Sequence, residues 1–117
     1  MSAVTTISTH VLDTSLGMPA AGVSVTLDRI GSDGATTRIS SAVTNDDGRV
    51  TALAPNQGRL AGGSYRLSFD VASYFAQTLR KGFYSEICIA FEIADDPQHY
   101  HVPLLLSPFG YSTYRGS

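Results

Sequence analysis

The sequence predicts an all-β sandwich or barrel with one short helix, and two observations lead to this fold class. Short stretches rich in β-branched and aromatic residues alternate with turns that carry Gly, Pro, Asn or Asp, at fairly regular spacing along 117 residues. One segment departs from the two-residue period of a strand and follows the spacing of a helix. The length fits a single domain, 1–117, with one hydrophobic core.

Eight stretches of the chain are predicted strands. Each is rich in residues that favour an extended backbone, and turn-forming residues separate most of them. The loop GSDG predicts a hairpin between the second stretch and the third. In chain order the predicted strands are VTTISTHVLD (4–13), GVSVTLDRI (22–30), ATTRISSAVT (35–44), GRVTAL (48–53), SYRLSFD (64–70), EICIAFEI (86–93), YHVPLLL (100–106) and GYSTYRGS (110–117).

The stretch after the fifth strand predicts a helix over 71–81. Its apolar side chains recur at intervals of three and four residues, as they do on one face of a helix. Asp70 can cap the first turn, and the basic pair Arg80 and Lys81 suits the negative end of the helix dipole. Gly82 is the expected left-handed residue that closes the helix.

Composition and charge exclude several classes of function. The net charge is −2 and the eight basic residues are scattered, so no surface for nucleic acid is expected. No run approaches the ~20 apolar residues of a membrane span.

The N-terminal MSAVTTISTHVLD lacks the basic and apolar regions of a secretory signal, so we expect a cytoplasmic location. The low fraction of charged residues, 15%, is typical of a small domain that buries surface in an oligomer.

Disulfide and metal chemistry are not expected. Cys88 lies alone in EICIAFEI and is predicted to be a buried core thiol. No spacing of Cys and His indicates zinc. The tandem acids at 46–47 and 95–96 lack the spacing of a calcium loop and are interpreted as turn formers. The sequence therefore predicts neither a metal nor a cofactor.

Strand parity sorts the unusual side chains, because successive residues of a strand point to opposite faces. His10 shares a face with Leu12, and His101 shares a face with Pro103 and Leu105. Proline cannot donate to a sheet ladder, which favours an edge or a face directed toward a partner. The face that carries His101 is therefore predicted to border a cleft or a subunit interface.

Three more positions complete this sorting. Tyr114 shares a face with Gly116 in the last strand, and Arg49 follows the turn NDDG at the start of a strand. His99 lies beside DDPQ and is expected to be exposed and outside any site. Parity alone leaves two interpretations of the histidines and Arg49 open: they are ordinary surface residues, or they belong to a site.

The chain lacks the signals of nucleophilic catalysis. It has no G-x-S-x-G elbow, and Cys88 has no evident activating partner. An enzyme with this sequence would therefore use a neutral histidine to activate water and an arginine to stabilise the developing negative charge.

Three stretches resemble one known family. HVLDTSLGMPAAGVSVTL, TNDDGR and YHVPLLLSPFGYSTYRGS, in this order and spacing, resemble the 5-hydroxyisourate hydrolases, the transthyretin-related proteins of purine breakdown. The resemblance covers nearly the whole chain, and YRGS is its most specific part. It implies an eight-stranded Greek-key β-sandwich of the transthyretin (prealbumin) type with one short helix. It also implies a homotetramer, a dimer of dimers that joins edge strands and encloses a central channel.

The resemblance further implies a site in that channel. Matching motifs give His10, Arg49 and His101 as catalytic residues and Tyr114, Gly116 and Ser117 as substrate-binding residues. The implied reaction is hydrolysis of 5-hydroxyisourate at its N1–C6 bond to 2-oxo-4-hydroxy-4-carboxy-5-ureidoimidazoline, a step of urate degradation. The two histidines would orient and deprotonate water, and Arg49 would stabilise the oxyanion. Arg115, of opposite parity, is expected to anchor the end of the chain.

Two other classes of function are compatible with the fold. A transthyretin-type carrier of small ligands does not need two histidines and an arginine in its channel. A structural or adhesive sandwich domain explains the strands but leaves YRGS unexplained. Hydrolysis is therefore the predicted function, with 5-hydroxyisourate as the only partner besides further copies of the chain. For a eukaryotic source, a peroxisomal location is the alternative to the cytoplasm, although RGS is not a peroxisomal address.

Overall fold

The computed structural model describes residues 4–53 and 60–117. Two β-sheets pack against each other across one hydrophobic core, which confirms the sandwich over the barrel. The predicted loop APNQGRLAGG (54–63) falls largely outside the described residues. Within the described ranges, no helix is long and apolar enough to cross a membrane.

The described residues form nine strands and one helix, α1, at Val71–Gln77. Each of the eight predicted strands is present, and the additional strand contains two residues. The strands are β1 Thr6–Asp13, β2 Met18–Pro19, β3 Ser24–Ile30, β4 Thr36–Val43, β5 Arg49–Val50, β6 Gly63–Asp70, β7 Glu86–Ile93, β8 His99–Ser107 and β9 Gly110–Thr113.

One sheet has the order β2-β1-β8-β9, with β5 also paired to β1, and the other has the order β4-β3-β6-β7. The pair β1–β8 is parallel, and the other pairs are antiparallel. Alternate residues of both sheets point inward, so burial of their apolar surface drives the sheets together. The largest fully buried side chains are Tyr65, Phe69, Phe75, Ile7, Leu27, Leu53, Leu67, Ile87, Leu104, Leu106, Val11 and Val23.

Five predicted strands are shorter than expected, and two of them lose four residues each. The strand predicted over 48–53 retains sheet pairing only at β5, although the Leu53 N–H still donates to the Ile7 carbonyl at 2.9 Å. The strand predicted over 110–117 ends at Thr113, and one isolated bridge between Gly116 and His101 continues the pairing. The end of the chain is thus held against β8 without a full ladder.

Helix α1 begins where it was predicted and ends four residues early. The Asp70 carboxylate accepts the Ser73 N–H at 3.1 Å, as an N-cap does. The left-handed residue is Leu79, with φ 59°, so the predicted cap at Gly82 is wrong. Gly82 has a different reason to lack a side chain: a Cβ there would lie 2.8 Å from Phe75 Cδ2 and from the Pro108 carbonyl oxygen.

Cys88 is exposed, so its prediction as a buried core thiol is wrong. The reason is strand parity: Ile87 and Ile93 of β7 are buried in the core, and Cys88 points to the opposite face. There its Sγ lies 3.5 Å from Ser68 Oγ and 3.3 Å from a Glu86 carboxylate oxygen.

Candidate active site

The parallel pair β1–β8 brings the predicted histidines to one sheet face. Ser8 lies opposite His101 and His10 lies opposite Pro103 in the ladder. Because these residues alternate with core residues, their side chains point away from the sandwich interior. We call this surface of the five-stranded sheet its outer face.

A tight turn presents Arg49 at the same face. Asn45 Oδ1 accepts the Asp47 N–H at 2.9 Å and the Arg49 N–H at 3.0 Å, which folds the turn. Gly48 has φ 74°, and a Cβ there would lie 2.4 Å from the Val11 carbonyl oxygen, so only glycine fits. The turn places Arg49 opposite His10 in the β1–β5 ladder.

A polar cavity of about 180 Å³ opens where these strands meet. The cavity contains two of the predicted catalytic residues, Arg49 and His101, and one predicted binding residue, Ser117. Arg49 is exposed, and its guanidinium has no ion pair or hydrogen bond within the described part of the chain. The lining residues are Ser8, Thr9, Arg49, Val50, Thr51, His99, His101 and Ser117.

A hydrogen bond with Ser8 fixes the orientation of the His101 ring. Ser8 Oγ lies 2.7 Å from His101 Nδ1, which leaves Nε2 as the ring nitrogen available to a ligand. Burial lowers the pKa of His101, and the positive charge of Arg49 lowers it further, followed by His99 and His10. The lowered pKa keeps the ring neutral at pH 7, as a general base must be.

Gly116 packs directly on the ring of His101. Its N–H donates to the His101 carbonyl at 2.8 Å, and a Cβ at this position would lie 2.6 Å from His101 Cδ2. A contact that short cannot exist, so a larger residue would displace the imidazole. The glycine of YRGS is therefore a positioning residue that acts through His101.

Two predicted site residues lie at the edge of this arrangement. His10 is half-buried beside Arg49 in the ladder but is not part of the cavity wall. Tyr114 is 58% exposed and borders a different, apolar cavity that also contains Ile89 and Phe91. Within one chain, the structure therefore does not bring Tyr114 to the histidines.

Arg115 has its own partners outside the polar cavity. Its guanidinium lies 4.7 Å from the ring centroid of Tyr100 and donates to the Gln98 amide oxygen at 3.0 Å. These contacts hold the segment after β9 against the start of β8. They agree with the expectation that Arg115 anchors the end of the chain.

Sequence reasoning did not single out Ser8 and expected His99 to lie outside any site, whereas both residues line the cavity. His99 is exposed, as expected, but it is the first residue of β8 and its ring stacks on that of His101 at 6.3 Å between centroids. Strand parity places His99 on the face of His101 and Ser8 on the face of His10, because the residues of each pair are two positions apart. The preceding residues DDPQ are typical of a turn, so His99 was not assigned to the strand.

Among the described residues, no group of three or more His, Cys, Asp or Glu side chains is placed to hold a metal ion. The groups that converge on the cavity are imidazoles, hydroxyls and one guanidinium. This set can bind a polar, planar ligand with carbonyl oxygens and can move protons.

The two-sheet topology and the ionisable cavity on the outer face define a transthyretin-like sandwich with a polar site. The chain belongs to the HIUase/Transthyretin family, whose model matches residues 7–116. A curated relative, 5-hydroxyisourate hydrolase of Halalkalibacterium halodurans, is 48% identical and is aligned over 95% of this chain and 97% of its own length.

Solved structures agree with this membership. The 5-hydroxyisourate hydrolase of Klebsiella pneumoniae has a TM-score of 0.83 and 39% identity, over 97% of this chain and all of that one. Sea bream transthyretin in complex with thyroxine has a TM-score of 0.87 and 30% identity, over 94% of this chain and 93% of that one. The shape of the sandwich alone therefore does not separate the two functions within the family.

Proposed function

We propose that this chain is a 5-hydroxyisourate hydrolase, which opens its substrate to 2-oxo-4-hydroxy-4-carboxy-5-ureidoimidazoline. The observation that carries the proposal is the cavity in which a serine-bound imidazole, His101, lies with the Arg49 guanidinium. The near full-length identity to a curated hydrolase supports the same substrate.

In the proposed reaction, His101 Nε2 removes a proton from water while the hydroxide oxygen adds to C6 of the substrate. The negative charge that develops on the C6 oxygen is stabilised by the planar, permanently charged guanidinium of Arg49. When the C6–N1 bond breaks, N1 takes the proton back from the His101 imidazolium. The ring opens to a carboxylic acid, with no net change in protons on the protein.

The remaining predicted residues assist this step in the proposal. His10 lies between Arg49 and Pro103 in the strand register, where it can orient water or a substrate oxygen. Ser117 lines the cavity and can donate a hydrogen bond to the ligand. General base and electrostatic catalysis suffice for this hydrolysis, so the proposal includes no metal and no cofactor.

We also propose that the chain assembles into a homotetramer, a dimer of dimers with the outer faces turned toward each other. The outer face carries half-buried Leu12 and Leu105, which lie opposite each other in the β1–β8 ladder. Packing against a second copy would cover them and close the cavity, whose residues Arg49 and His99 are exposed in one chain. Tyr114 would then contribute to a closed site. We place the protein in the cytoplasm, or in the peroxisome of a eukaryote.

A transthyretin-type carrier is the second candidate, because the thyroxine-bound sea bream protein has the same fold. The two histidines, one arginine and two serines that line the cavity favour hydrolysis over passive binding of an apolar ligand.

The test follows the ultraviolet absorbance of freshly generated 5-hydroxyisourate with and without protein. We expect the protein to accelerate its loss far above the spontaneous rate, whereas heat-denatured protein should not. Saturable binding without acceleration would reject the hydrolase and support the carrier.

A further inference from the structure

We propose that Ser8 joins His101 and His99 into a proton relay. In this relay Ser8 positions His101 and passes the proton on, and His99 is the proton acceptor. The inference rests on the proposed function and extends it to two residues that the family resemblance did not assign. His99 thereby becomes the residue through which the half-buried His101 exchanges protons with solvent.

A continuous row of hydrogen-bond distances runs along the outer face. Ser8 Oγ is 2.7 Å from His101 Nδ1 and 3.4 Å from His99 Nε2. His99 Nδ1 is in turn 2.7 Å from Thr6 Oγ1. The parallel register produces this row, because Thr6 lies opposite His99 and Ser8 lies opposite His101. One hydroxyl therefore bridges two imidazole rings that are nearly parallel, at 15°.

The row has two self-consistent directions of donation. In one, His101 Nδ1–H donates to Ser8, the Ser8 O–H donates to His99 Nε2, and His99 Nδ1–H donates to Thr6, so that His101 Nε2 is a free base. In the other direction, donor and acceptor are exchanged in each of the three hydrogen bonds, so that His101 carries its proton on Nε2 and can act as an acid. Each hydroxyl and each neutral imidazole supplies one donor and one acceptor in both directions.

During hydrolysis the hydrogen bonds between His101, Ser8 and His99 reverse and are then restored, while His99 Nδ1–H continues to donate to Thr6. When water gives its proton to His101 Nε2, the His101 Nδ1 proton passes to Ser8 Oγ, and the Ser8 proton passes to His99 Nε2. His99 then carries the positive charge, and the protons return by the same route when N1 of the substrate leaves. Bonds to hydrogen are broken and formed in equal number, and no further reagent is required.

The surroundings favour movement of charge from His101 to His99. His101 is half-buried and faces the Arg49 guanidinium and His10 as well as His99, so a positive charge on its ring is unfavourable. His99 is exposed, and water can solvate the charge there. Ser8 is itself only 8% exposed, which shields the middle of the row from solvent.

The first test is independent of substrate. Nitrogen-15 NMR of the imidazole rings reports which nitrogen carries the proton. We expect His101 to be protonated at Nδ1 at neutral pH, and Ser8→Ala to redistribute the proton between Nδ1 and Nε2. A proton held on Nε2 in both proteins would overturn the relay, whether or not the protein hydrolyses 5-hydroxyisourate.

The second test is kinetic and uses matched variants. Ser8→Ala and His99→Gln should each lower kcat about ten- to hundredfold with KM within about twofold, because they affect proton transfer and not binding. Ser8→Thr keeps the hydroxyl and should restore most of kcat. Ser24→Ala, an exposed strand serine of the other sheet, should match the parent.

The outcomes separate the two proposals. Unchanged kcat in Ser8→Ala and His99→Gln, or equal losses in Ser8→Ala and Ser8→Thr, would overturn the relay while leaving the hydrolase intact. A parent protein without activity would reject the hydrolase, and the NMR measurement would still decide the relay.

Discussion

Gly116 illustrates how the lack of one side chain sets the geometry of the site. The His101 ring occupies the space that a Cβ of residue 116 would need, so the imidazole lies between Gly116 and the hydroxyl of Ser8. Catalytic groups lose much of their effect when they are displaced by about 1 Å. The glycine therefore contributes to the site although it carries no functional group.

We expect Gly116→Ala to lower kcat at least about tenfold, because the new Cβ would push the His101 ring away from its position. The melting temperature should stay within a few degrees, since Gly116 lies outside the core. Gly110→Ala is the matched control: its Cβ would meet only Ser107 Oγ, at 3.7 Å. Equal activity of the two alanine variants would contradict the positioning role.

The sequence contained much of the site at the residue scale. Parity correctly grouped His10 with Leu12 and His101 with Pro103, because strand alternation is a local property. Parity puts Ser8 on the face of His10, but its contact with His101 depends on the register between two strands, because the two residues are 93 positions apart in the chain. The same register pairs His99 with Thr6 as part of β8, so His99 lines the cavity and does not belong to a loop.

At the scale of elements, the buried carboxylate of Asp13 links strand β1 to helix α1 and to the segment that follows the helix. Asp13, at the end of β1, accepts hydrogen bonds from Tyr74 of α1 at 2.8 Å and from Arg80 after the helix at 2.6 Å. Ser15 of the following turn donates to it at 2.6 Å. Burial raises the pKa of Asp13, but the bonds from Arg80, Ser15 and Tyr74 outweigh burial and hold it at about 2.

This pKa predicts a pH-dependent stability. The folded pKa lies below the ordinary value of about 3.9, so ionised Asp13 stabilises the fold by on the order of 2 kcal/mol above pH 4. That contribution is lost as the pH falls through about 2. Tyr74→Phe removes one hydrogen bond and raises the pKa of Asp13, so acid unfolding should begin at a higher pH.

Urea unfolding at pH 7, 4 and 3 measures the effect. At pH 7 we expect Tyr74→Phe to lower the free energy of unfolding by about 1.5–3 kcal/mol, the typical contribution of a hydrogen bond to a charged group. Tyr84→Phe, at a partly exposed tyrosine, is the control and should change it little. An unchanged acid transition in Tyr74→Phe would show that Asp13 does not depend on this bond.

The elements were easier to predict than their ends. Alternation and turn residues revealed eight strands because both signals are local. The end of α1 was mistaken because the sequence offered Gly82 as a cap, whereas Leu79 adopts the left-handed conformation and Gly82 is needed for its close contact with Phe75. Glycine is required at position 82 because of tertiary packing, and a local sequence pattern does not report such packing.

For the whole molecule, the outer face links assembly to activity. Leu12 and Leu105 are opposite each other in the β1–β8 ladder, and both are only half-buried in one chain. A charge at the centre of this apolar strip should prevent another copy from packing on it. Assembly and closure of the cavity should then be lost together.

Native mass spectrometry and scattering test this link. We expect the parent to be a tetramer, and Leu105→Glu to dissociate to smaller species with at least about a tenfold loss of kcat/KM, because the open cavity is left accessible to water. Val43→Glu, at an exposed position of the other sheet, should remain tetrameric and active. A fully active monomer would contradict a site that is completed by assembly.

The most direct test of the whole account is the ultraviolet assay of 5-hydroxyisourate on three variants at equal concentration. His101→Asn and Arg49→Ala should each lower kcat/KM by about 10²–10⁴-fold with the fold retained, since they remove the base and the oxyanion partner. Lys81→Ala removes an exposed cation away from the cavity and should keep the parental rate. A parental rate in His101→Asn or in Arg49→Ala would contradict the account.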